Sequence, residues 1–215
     1  MSSLLLYSYW RSSSSFRVRF ALAAKKLPFE MVTVNLLAGE QNSAEHIARS
    51  PTGHVPCLVV DGRPMIESVA IIELLEDLFP EPALYPKDPW AKAQVRVLVE
   101  IVNAGIQPLQ NLKVMARVST DPAARKEWGA HFNAKGLAAF ESMLEIYSKE
   151  GIRGKYTYGD SLTAADIFLL PQVYSAKRFD VDVTKFPRVH AVSEALMELD
   201  AAKAAVPENQ PDAVK

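Results

Sequence analysis

The chain has 215 residues, of which 49% are hydrophobic, 23% charged and 9% aromatic. That apolar fraction is sufficient for a packed core, so the composition excludes a disordered chain, and the length allows one large domain or two small ones. Lysine and arginine together number 24, aspartate and glutamate 25, and the formal net charge is −1. This balance argues against a protein that binds nucleic acids or membranes through a basic surface.

The use of cysteine and histidine indicates an intracellular chain without a metal site. Cys57 is the single cysteine, and one thiol cannot form an internal disulfide, a CxxC redox pair or a structural zinc site. The four histidines lack the spacing of metal ligands. No apolar run approaches the length of a membrane span, and Leu4–Tyr7 is too short for the core of a signal peptide. We therefore expect a soluble cytoplasmic protein with no metal and no membrane partner.

The first eighty residues alternate between strand and helix patterns. Short apolar or alternating runs predict strands, and apolar residues at helical spacing predict helices. The predicted strands are Leu4–Tyr9, Phe29–Asn35, Cys57–Asp61 and Arg63–Ile66, and the predicted helices are Phe16–Leu27, Ser43–Arg49 and Ser68–Phe79. Asp61-Gly62 has the composition of a hairpin turn. The order β-α-β-α-β-β-α predicts a mixed sheet with helices packed on its faces.

A proline-rich segment divides the chain. Four prolines fall within residues 80–89, which predicts a stiff linker over 81–89 between domains 1–80 and 90–215. Beyond it the pattern is helical throughout, with long helices predicted at about 90–117, 122–149, 163–178 and 186–204. Thr163 and Asp166 have the spacing of a capping box at the start of the third helix. The chain is thus predicted to be α/β in its first domain and all-helical in its second.

The run Ser12–Ser15 lies between a predicted strand and a predicted helix. Serine is a favoured N-cap residue, so the run is compatible with an ordinary polar turn. It is equally compatible with an anion-binding site, because hydroxyl groups and free backbone N–H groups would gather at the positive end of a helix dipole. Such a site would suit a thiolate. No histidine or other base is evident nearby, so the pattern does not indicate a Ser-His-Asp site.

Two further features could contact a peptide-like ligand. Val55 precedes Pro56, which forces an extended backbone and allows a cis peptide bond, so the Val55 N–H and C=O could pair with a ligand as a strand would. Glu67-Ser68 begins a predicted helix, where the carboxylate could bind an ammonium group and the helix start a carboxylate. Each feature also has a local explanation, as a strand-entry turn and as a helix cap.

Three long motifs resemble one family. Ser12–Arg19 follows the pattern Ser-Ser-Cys-x-x-Arg-Val-Arg, Gly105–Leu112 has the sequence GIQPLQNL, and Pro171–Val173 is followed by Arg178-Phe179. With the predicted domain order, these motifs resemble the zeta class of the cytosolic glutathione transferases nearly end to end. The resemblance implies a thioredoxin-like N-terminal domain, an all-helical C-terminal domain and glutathione as the cofactor.

Two positions depart from the family pattern. Ser14 stands where the zeta fingerprint has cysteine, and Glu67 stands where close relatives often carry glutamine. A carboxylate still suits an amine partner, so the second departure changes little. The first removes the thiol on which reductive dehalogenation depends in relatives. The resemblance therefore implies isomerisation without that redox side activity.

The resemblance also implies which residues bind the ligands. Arg11 and Arg178 would line the pocket for an acidic substrate. Ser12, Ser13 and Ser14 would be the catalytic residues, with the Ser12 hydroxyl and the Ser14 N–H as partners of the thiolate. The implied glutathione contacts are Ser12, Ser13, Ser14, Ser15, Gln41, Val55, Glu67 and Ser68, with Gln107 and Asn111 approaching from the helical domain.

The implied reaction is the glutathione-dependent isomerisation of maleylacetoacetate to fumarylacetoacetate by thiolate addition, bond rotation and elimination, with glutathione transfer as a side activity. Two alternatives stay open. One is the same reaction on maleylpyruvate, for which Lys113 could add a cation, although Gln107–Gln110 favours maleylacetoacetate. The other is a non-enzymatic binding module with a transferase-like fold. The implied partners are a small dicarboxylate and a second copy of the chain in a homodimer, with no nucleic acid.

Overall fold

The computed structural model describes residues 2–214, so the terminal residues of the two predicted domains, Met1 and Lys215, lie outside the described part. This part divides into two compact units: one contains the residues up to Pro82 and the segment from Leu199 onward, and the other comprises Ala83–Glu198. The C-terminal segment thus packs with the first unit, which the predicted linker at 81–89 did not anticipate. Within residues 2–214, no helix combines the length and hydropathy needed to cross a bilayer.

The first unit contains a four-stranded mixed sheet. Its strands are β1 (Leu4–Ser8), β2 (Glu30–Thr33), β3 (Cys57–Val60) and β4 (Arg63–Ile66), in the order β2-β1-β3-β4. Strand β1 runs parallel to β2 and antiparallel to β3, and β3 pairs antiparallel with β4. Asp61 and Gly62, between β3 and β4, both have positive φ, as a two-residue hairpin turn of this hand requires. The predicted hairpin is therefore confirmed.

Helices α1 (Ser13–Ala24), α2 (Ala44–Arg49) and α3 (Ser68–Leu78) complete the predicted order β-α-β-α-β-β-α. Helix α1 begins at Ser13 rather than at the predicted Phe16, because Ser12 serves as its N-cap and the next serines form its first turn. It ends at Ala24, before Pro28. Phe16, Phe20 and other apolar residues of α1 are buried in the core of this unit.

The second unit is built from helices. They are α4 (Pro89–Asn103), α5 (Leu112–Val118), α6 (Pro122–Lys149), α7 (Ala164–Arg178) and α8 (Pro187–Met197), with 3-10 helices at Gln107–Gln110 and Val183–Lys185. The predictions of 122–149 and 163–178 are confirmed to within a residue. The prediction of one helix over 90–117 is wrong. Pro108 lacks the N–H that a continuous helix needs, and the Asn111 side chain caps a new helix by accepting the Lys113 N–H at 3.0 Å.

The prediction of one helix over 186–204 is also wrong. Helix α8 ends at Met197, and a separate helix, α9, spans Asp200–Ala205. In the first unit α9 packs against α1, and its buried residues are Ala202 and Ala205, whose small side chains permit a close approach. Two further 3-10 helices belong to this unit, at Glu40–Asn42 and Pro207–Asn209.

The start of α7 is organised by the predicted capping box. The Asp166 carboxylate accepts hydrogen bonds from the Thr163 N–H at 2.8 Å and the Thr157 N–H at 2.9 Å. Asp166 is fully buried, and burial raises the pKa of its carboxyl, whereas these hydrogen bonds oppose the rise. Most of α7 is buried as well. The box therefore determines where a core helix of the second unit begins.

We predict that Asp166→Ala lowers the free energy of unfolding by about 2–4 kcal/mol, because two N–H groups lose their acceptor inside the protein. The control is Asp121→Ala, which removes the exposed N-cap of α6 and should cost only about 1 kcal/mol. Urea denaturation measures both variants. Equal losses in the two variants would contradict the role assigned to the buried carboxylate.

Candidate active site

The start of α1 gathers the hydrogen-bond donors that the sequence predicts for an anion site. Ser12 is the N-cap, and its Oγ accepts the Ser15 N–H at 3.1 Å. The hydroxyl proton of Ser12 therefore remains available for a second partner. The N–H groups of Ser13 and Ser14 lie in the first helical turn and have no hydrogen-bond partner among the described residues. All three donors stand at the positive end of the α1 dipole.

Ser15 and Arg11 lie on either side of this helix start. Ser15 is buried, and its Oγ has no hydrogen-bond partner within residues 2–214. Arg11 is half-buried, and its guanidinium lies 5.4 Å from the ring centre of Trp10. At this distance the cation is attracted to the face of the ring. The stacking thus holds a positive charge one residue before the Ser12 cap.

Val55 is the residue whose backbone N–H and C=O are predicted to pair with a peptide-like ligand. The peptide bond that follows it is cis, as the sequence allowed, and its buried side chain packs with Tyr9 at the end of β1. The preceding carbonyl, that of His54, accepts hydrogen bonds from His46 Nε2 at 3.0 Å and Ser50 Oγ at 2.9 Å. Val55 itself lies before the paired residues of β3, so its N–H and C=O join no strand pairing in the described chain.

Glu67 and Ser68 stand at the start of α3, where the sequence predicts contacts with an ammonium group and a carboxylate. Glu67 has φ 67° and ψ 118°, a conformation that costs a residue with a side chain about 1–3 kcal/mol and that concentrates at functional sites. Ser68 is 4% exposed, and its Oγ accepts a hydrogen bond from Arg17 Nη1 at 3.1 Å. Because Arg17 stands on α1, this bond ties the start of α3 to the helix that begins with the serines.

The groups of the first unit fit glutathione, a peptide with an ammonium group, two carboxylates and a thiol. Gln41 lies in the 3-10 helix Glu40–Asn42, and its buried Oε1 has no partner among the described residues, which favours a ligand that brings an N–H group. Ser12–Ser14 present donors, Glu67 presents a carboxylate, and Val55 presents unpaired backbone. By contrast, no three His, Cys, Asp or Glu side chains within residues 2–214 are grouped as metal ligands.

Three of the predicted site residues lie in the second unit. Gln107 begins a 3-10 helix, Asn111 is the N-cap of α5, and Arg178 is the last residue of α7. Gln107 and Asn111 are half-buried, whereas Arg178 is exposed. Their contacts with a ligand stay predictions.

The segment Gly105–Asn111 is docked onto α6. A Cβ at position 136 would collide with the Ile106 side chain, so Gly136 is required for this close approach. Two hydrogen bonds from α6 also hold the segment, from Trp128 Nε1 to the Leu109 carbonyl at 2.8 Å and from Asn133 Nδ2 to Gln110 Oε1 at 2.7 Å. The backbone on both sides of Gln107 is therefore held by tertiary contacts.

Arg17 and Arg19 belong to the family motif Ser12–Arg19, and both are almost fully buried. Charged side chains are rarely buried unless they are paired. Because the other residues from Phe16 to Ala24 are apolar, the two arginines could have been predicted to make buried polar contacts. Two of their partners, Ser68 and the Ala205 carbonyl, could not, because they lie 51 and 186 residues away in sequence.

Comparison with known proteins establishes the family. Residues 2–77 match the model of the glutathione S-transferase N-terminal domain, and residues 124–200 match that of the C-terminal domain. A probable maleylacetoacetate isomerase from Caenorhabditis elegans is 44% identical over 209 residues, which cover 97% of this chain and 95% of that protein. The chain belongs to the glutathione S-transferase family, and its relatives assign it to the zeta class.

Solved structures of this class share the fold. The structure of a maleylacetoacetate isomerase from Anaeromyxobacter dehalogenans 2CP-1, with glutathione in its active site, is 45% identical, covers 99% of each chain and has a TM-score of 0.88. The holo structure of a bacterial maleylpyruvate isomerase of the zeta class is 39% identical, covers 98% of this chain and 100% of that chain, and has a TM-score of 0.94. The predicted fold class is confirmed.

Cys57 should be chemically inert in the folded protein. It is fully buried, and burial raises the pKa of its thiol, an effect that Arg49 only partly offsets. We predict that the native chain reacts with a chromogenic disulfide reagent at least about tenfold more slowly than free cysteine. Ser14→Cys should add one rapidly reacting thiol, because the first turn of a helix lowers a thiol pKa. A fast thiol that peptide mapping assigns to Cys57 would contradict this prediction.

Proposed function

We propose that this chain is a glutathione-dependent cis-trans isomerase that converts maleylacetoacetate to fumarylacetoacetate, with glutathione transfer as a side activity. The observation that carries the proposal is the cap of α1, where the Ser12 hydroxyl accepts the Ser15 N–H and keeps its own proton for a bound sulfur. The isomerases among the zeta-class relatives support the reaction. When bound, glutathione supplies the thiolate that adds to the cis double bond and leaves after rotation.

The groups at the start of α1 are sufficient to favour an ionised thiol at neutral pH. An unperturbed thiol has a pKa of about 8.5, and lowering it by roughly two units requires about 2.7 kcal/mol of preferential stabilisation of the anion. A hydrogen bond to a charged group contributes about 1.5–3 kcal/mol, and a helix N-terminus contributes up to about 2 kcal/mol in a partly buried setting. The Ser12 hydroxyl with the Ser13 and Ser14 N–H groups therefore suffices without a general base.

Other groups of the first unit suit the remaining parts of glutathione. The Glu67 carboxylate suits the ammonium group, and the Ser68 N–H at the start of α3 suits a carboxylate. The unpaired N–H and C=O of Val55 suit a peptide unit, as an added strand would. The buried Gln41 Oε1 and Ser15 Oγ, both without partners in the described chain, suit further polar groups.

The acidic substrate requires cations in a chain whose net charge is close to zero. We assign Arg11, stacked on Trp10 beside the serines, to one substrate carboxylate, and Arg178 to another, because guanidinium groups bind carboxylates with two hydrogen bonds. Gln107 and Asn111 are proposed as further polar contacts. Assembly as a homodimer and a cytoplasmic location stay predictions from the family.

Maleylpyruvate is the second candidate substrate, since a zeta-class relative named for its isomerisation has the same fold. Assays with glutathione and each cis diketo acid, followed by loss of enol absorbance, distinguish the two. We expect kcat/KM for maleylacetoacetate to be at least about tenfold higher. The opposite ratio would favour maleylpyruvate. No turnover of either acid, with glutathione binding retained in calorimetry, would favour a non-enzymatic binding module.

Ser12→Ala should raise the pKa of bound glutathione by about one to two units, because one charge-assisted hydrogen bond is lost. Turnover at pH 7 should fall by about three- to twentyfold, whereas turnover at pH 9 should change little. Ultraviolet titration of the binary complex measures the thiolate directly, with Ser13→Ala as the matched control. A larger shift in Ser13→Ala than in Ser12→Ala would assign the thiolate contact to the Ser13 hydroxyl.

Arg11→Met and Arg178→Met should each raise KM for the diacid by about tenfold or more, the effect of losing a charge-assisted contact of about 1.5–3 kcal/mol. An uncharged electrophile conjugated to glutathione serves as the control substrate, and its KM should change much less. If both substrates lose equally, the arginines serve the fold or the glutathione site instead.

A further inference from the structure

The guanidinium of Arg19 is a polar group of the first unit that takes no part in the proposed ligand contacts. Arg19 is 2% exposed, so its charge lies inside the protein. It donates four hydrogen bonds, to Ser8 Oγ at 3.0 Å and to the carbonyls of Tyr9 at 3.3 Å, Trp10 at 3.0 Å and Ala205 at 3.1 Å. Arg19 therefore joins the end of β1 to the end of α9.

The C-terminal segment makes a second contact with the same part of the chain. Asp212 Oδ2 accepts the Trp10 N–H at 3.0 Å, across 202 residues of sequence. Its charge also acts on Arg19: burial lowers the pKa of Arg19 to about 10, and the attraction of Asp212 opposes that decrease. Arg19 thus stays charged at neutral pH, and Trp10 is held at both its N–H and its C=O.

These bonds act on the turn that forms the Ser12 cap. The Ser12 N–H donates to the Tyr9 carbonyl at 3.0 Å, the carbonyl that also accepts from Arg19. Ser12 has φ −69° and ψ 119°, and in this extended conformation its Oγ reaches the Ser15 N–H. A shift of the Trp10 backbone would move Ser12, and the strength of a hydrogen bond to a bound sulfur depends on such geometry.

We propose that Arg19 and Asp212 are positioning residues for the thiolate, and that the C-terminal segment completes the Ser12 site by holding the Trp10 backbone. The inference rests on the proposed function, because it concerns the same bound sulfur. Neither side chain needs to touch the ligand. Their effect passes through the Tyr9–Ser12 turn to the direction of the Ser12 hydroxyl.

The test is a series at position 212. Asp212→Ala removes both the charge and the acceptor of the Trp10 N–H, whereas Asp212→Asn removes the charge and keeps an oxygen that can accept this bond. Asp200→Ala is the matched control, because Asp200 is an exposed carboxylate of the same segment that lies 4.0 Å from Lys203. For each variant the thiolate pKa of bound glutathione, the pH dependence of kcat and the melting temperature are measured.

We expect Asp212→Ala to raise the pKa of the bound thiol by about half a unit to one unit, with up to about a threefold loss of kcat at pH 7 and little loss at pH 9. Asp212→Asn and Asp200→Ala should stay within about 0.2 units of the wild-type chain. No shift in Asp212→Ala, or equal shifts in Asp212→Ala and Asp212→Asn, would overturn the positioning role.

Arg19→Lys is a second test of the positioning role, because lysine keeps the charge but cannot reproduce the planar set of donors. We expect a shift of the thiol pKa at least as large as in Asp212→Ala. If Arg19→Lys does not fold, the series at position 212 decides the question by itself. A wild-type chain that binds glutathione without lowering its thiol pKa would overturn the proposed function, and the positioning role with it, whereas failure of the variants alone would overturn only the latter.

Discussion

Two guanidinium groups buried on α1 organise the first unit. A buried cation costs less free energy when hydrogen-bond acceptors stand beside it, so both groups favour carbonyl or hydroxyl oxygens at fixed positions. Arg17 reaches Ser68 at the start of α3, and Arg19 reaches the end of β1 and the end of α9. Both arginines stand on the helix whose first turn carries the serines, so their hydrogen bonds tie that helix to three other elements of the unit.

This arrangement also accounts for the unusual backbone at Glu67. Its positive φ costs about 1–3 kcal/mol, which other interactions of the fold must offset. The hydrogen bond from the Arg17 guanidinium to the neighbouring Ser68 involves a charged donor and contributes about 1.5–3 kcal/mol. The two magnitudes are comparable, so one buried contact can hold the start of α3 in a conformation that presents the Glu67 carboxylate.

In the second unit, buried side-chain amides connect neighbouring elements by hydrogen bonds, as the guanidinium groups do in the first unit. Gln110, Asn133 and Gln172 are each at most 9% exposed. Gln172 Nε2 donates to Asn133 Oδ1 at 2.6 Å and to Gln110 Oε1 at 3.2 Å, and Asn133 Nδ2 donates to the same Gln110 oxygen. These three hydrogen bonds fix the register of α6, α7 and the segment Gly105–Asn111 relative to one another. They therefore position the backbone on which Gln107 and Asn111 stand.

The sequence by itself determined the elements whose causes are local. The β3–β4 hairpin depends on Asp61-Gly62, the start of α7 on Thr163 and Asp166, and the cap of α1 on a serine three residues before the N–H it accepts. The family motifs likewise indicated glutathione as the cofactor, because each motif is contiguous in sequence, and the residues proposed to bind it stay predictions.

Tertiary structure alone decided the features that depend on distant residues. The docking of the segment Gly105–Asn111 onto α6 and the packing of α9 onto α1 do not follow from any local pattern of residues. No local pattern pairs Arg19 with Ala205 or Trp10 with Asp212, since these partners are close only in the folded chain. The turn that carries the Ser12 cap depends on those same contacts, because the Tyr9 carbonyl accepts hydrogen bonds from both the Arg19 guanidinium and the Ser12 N–H.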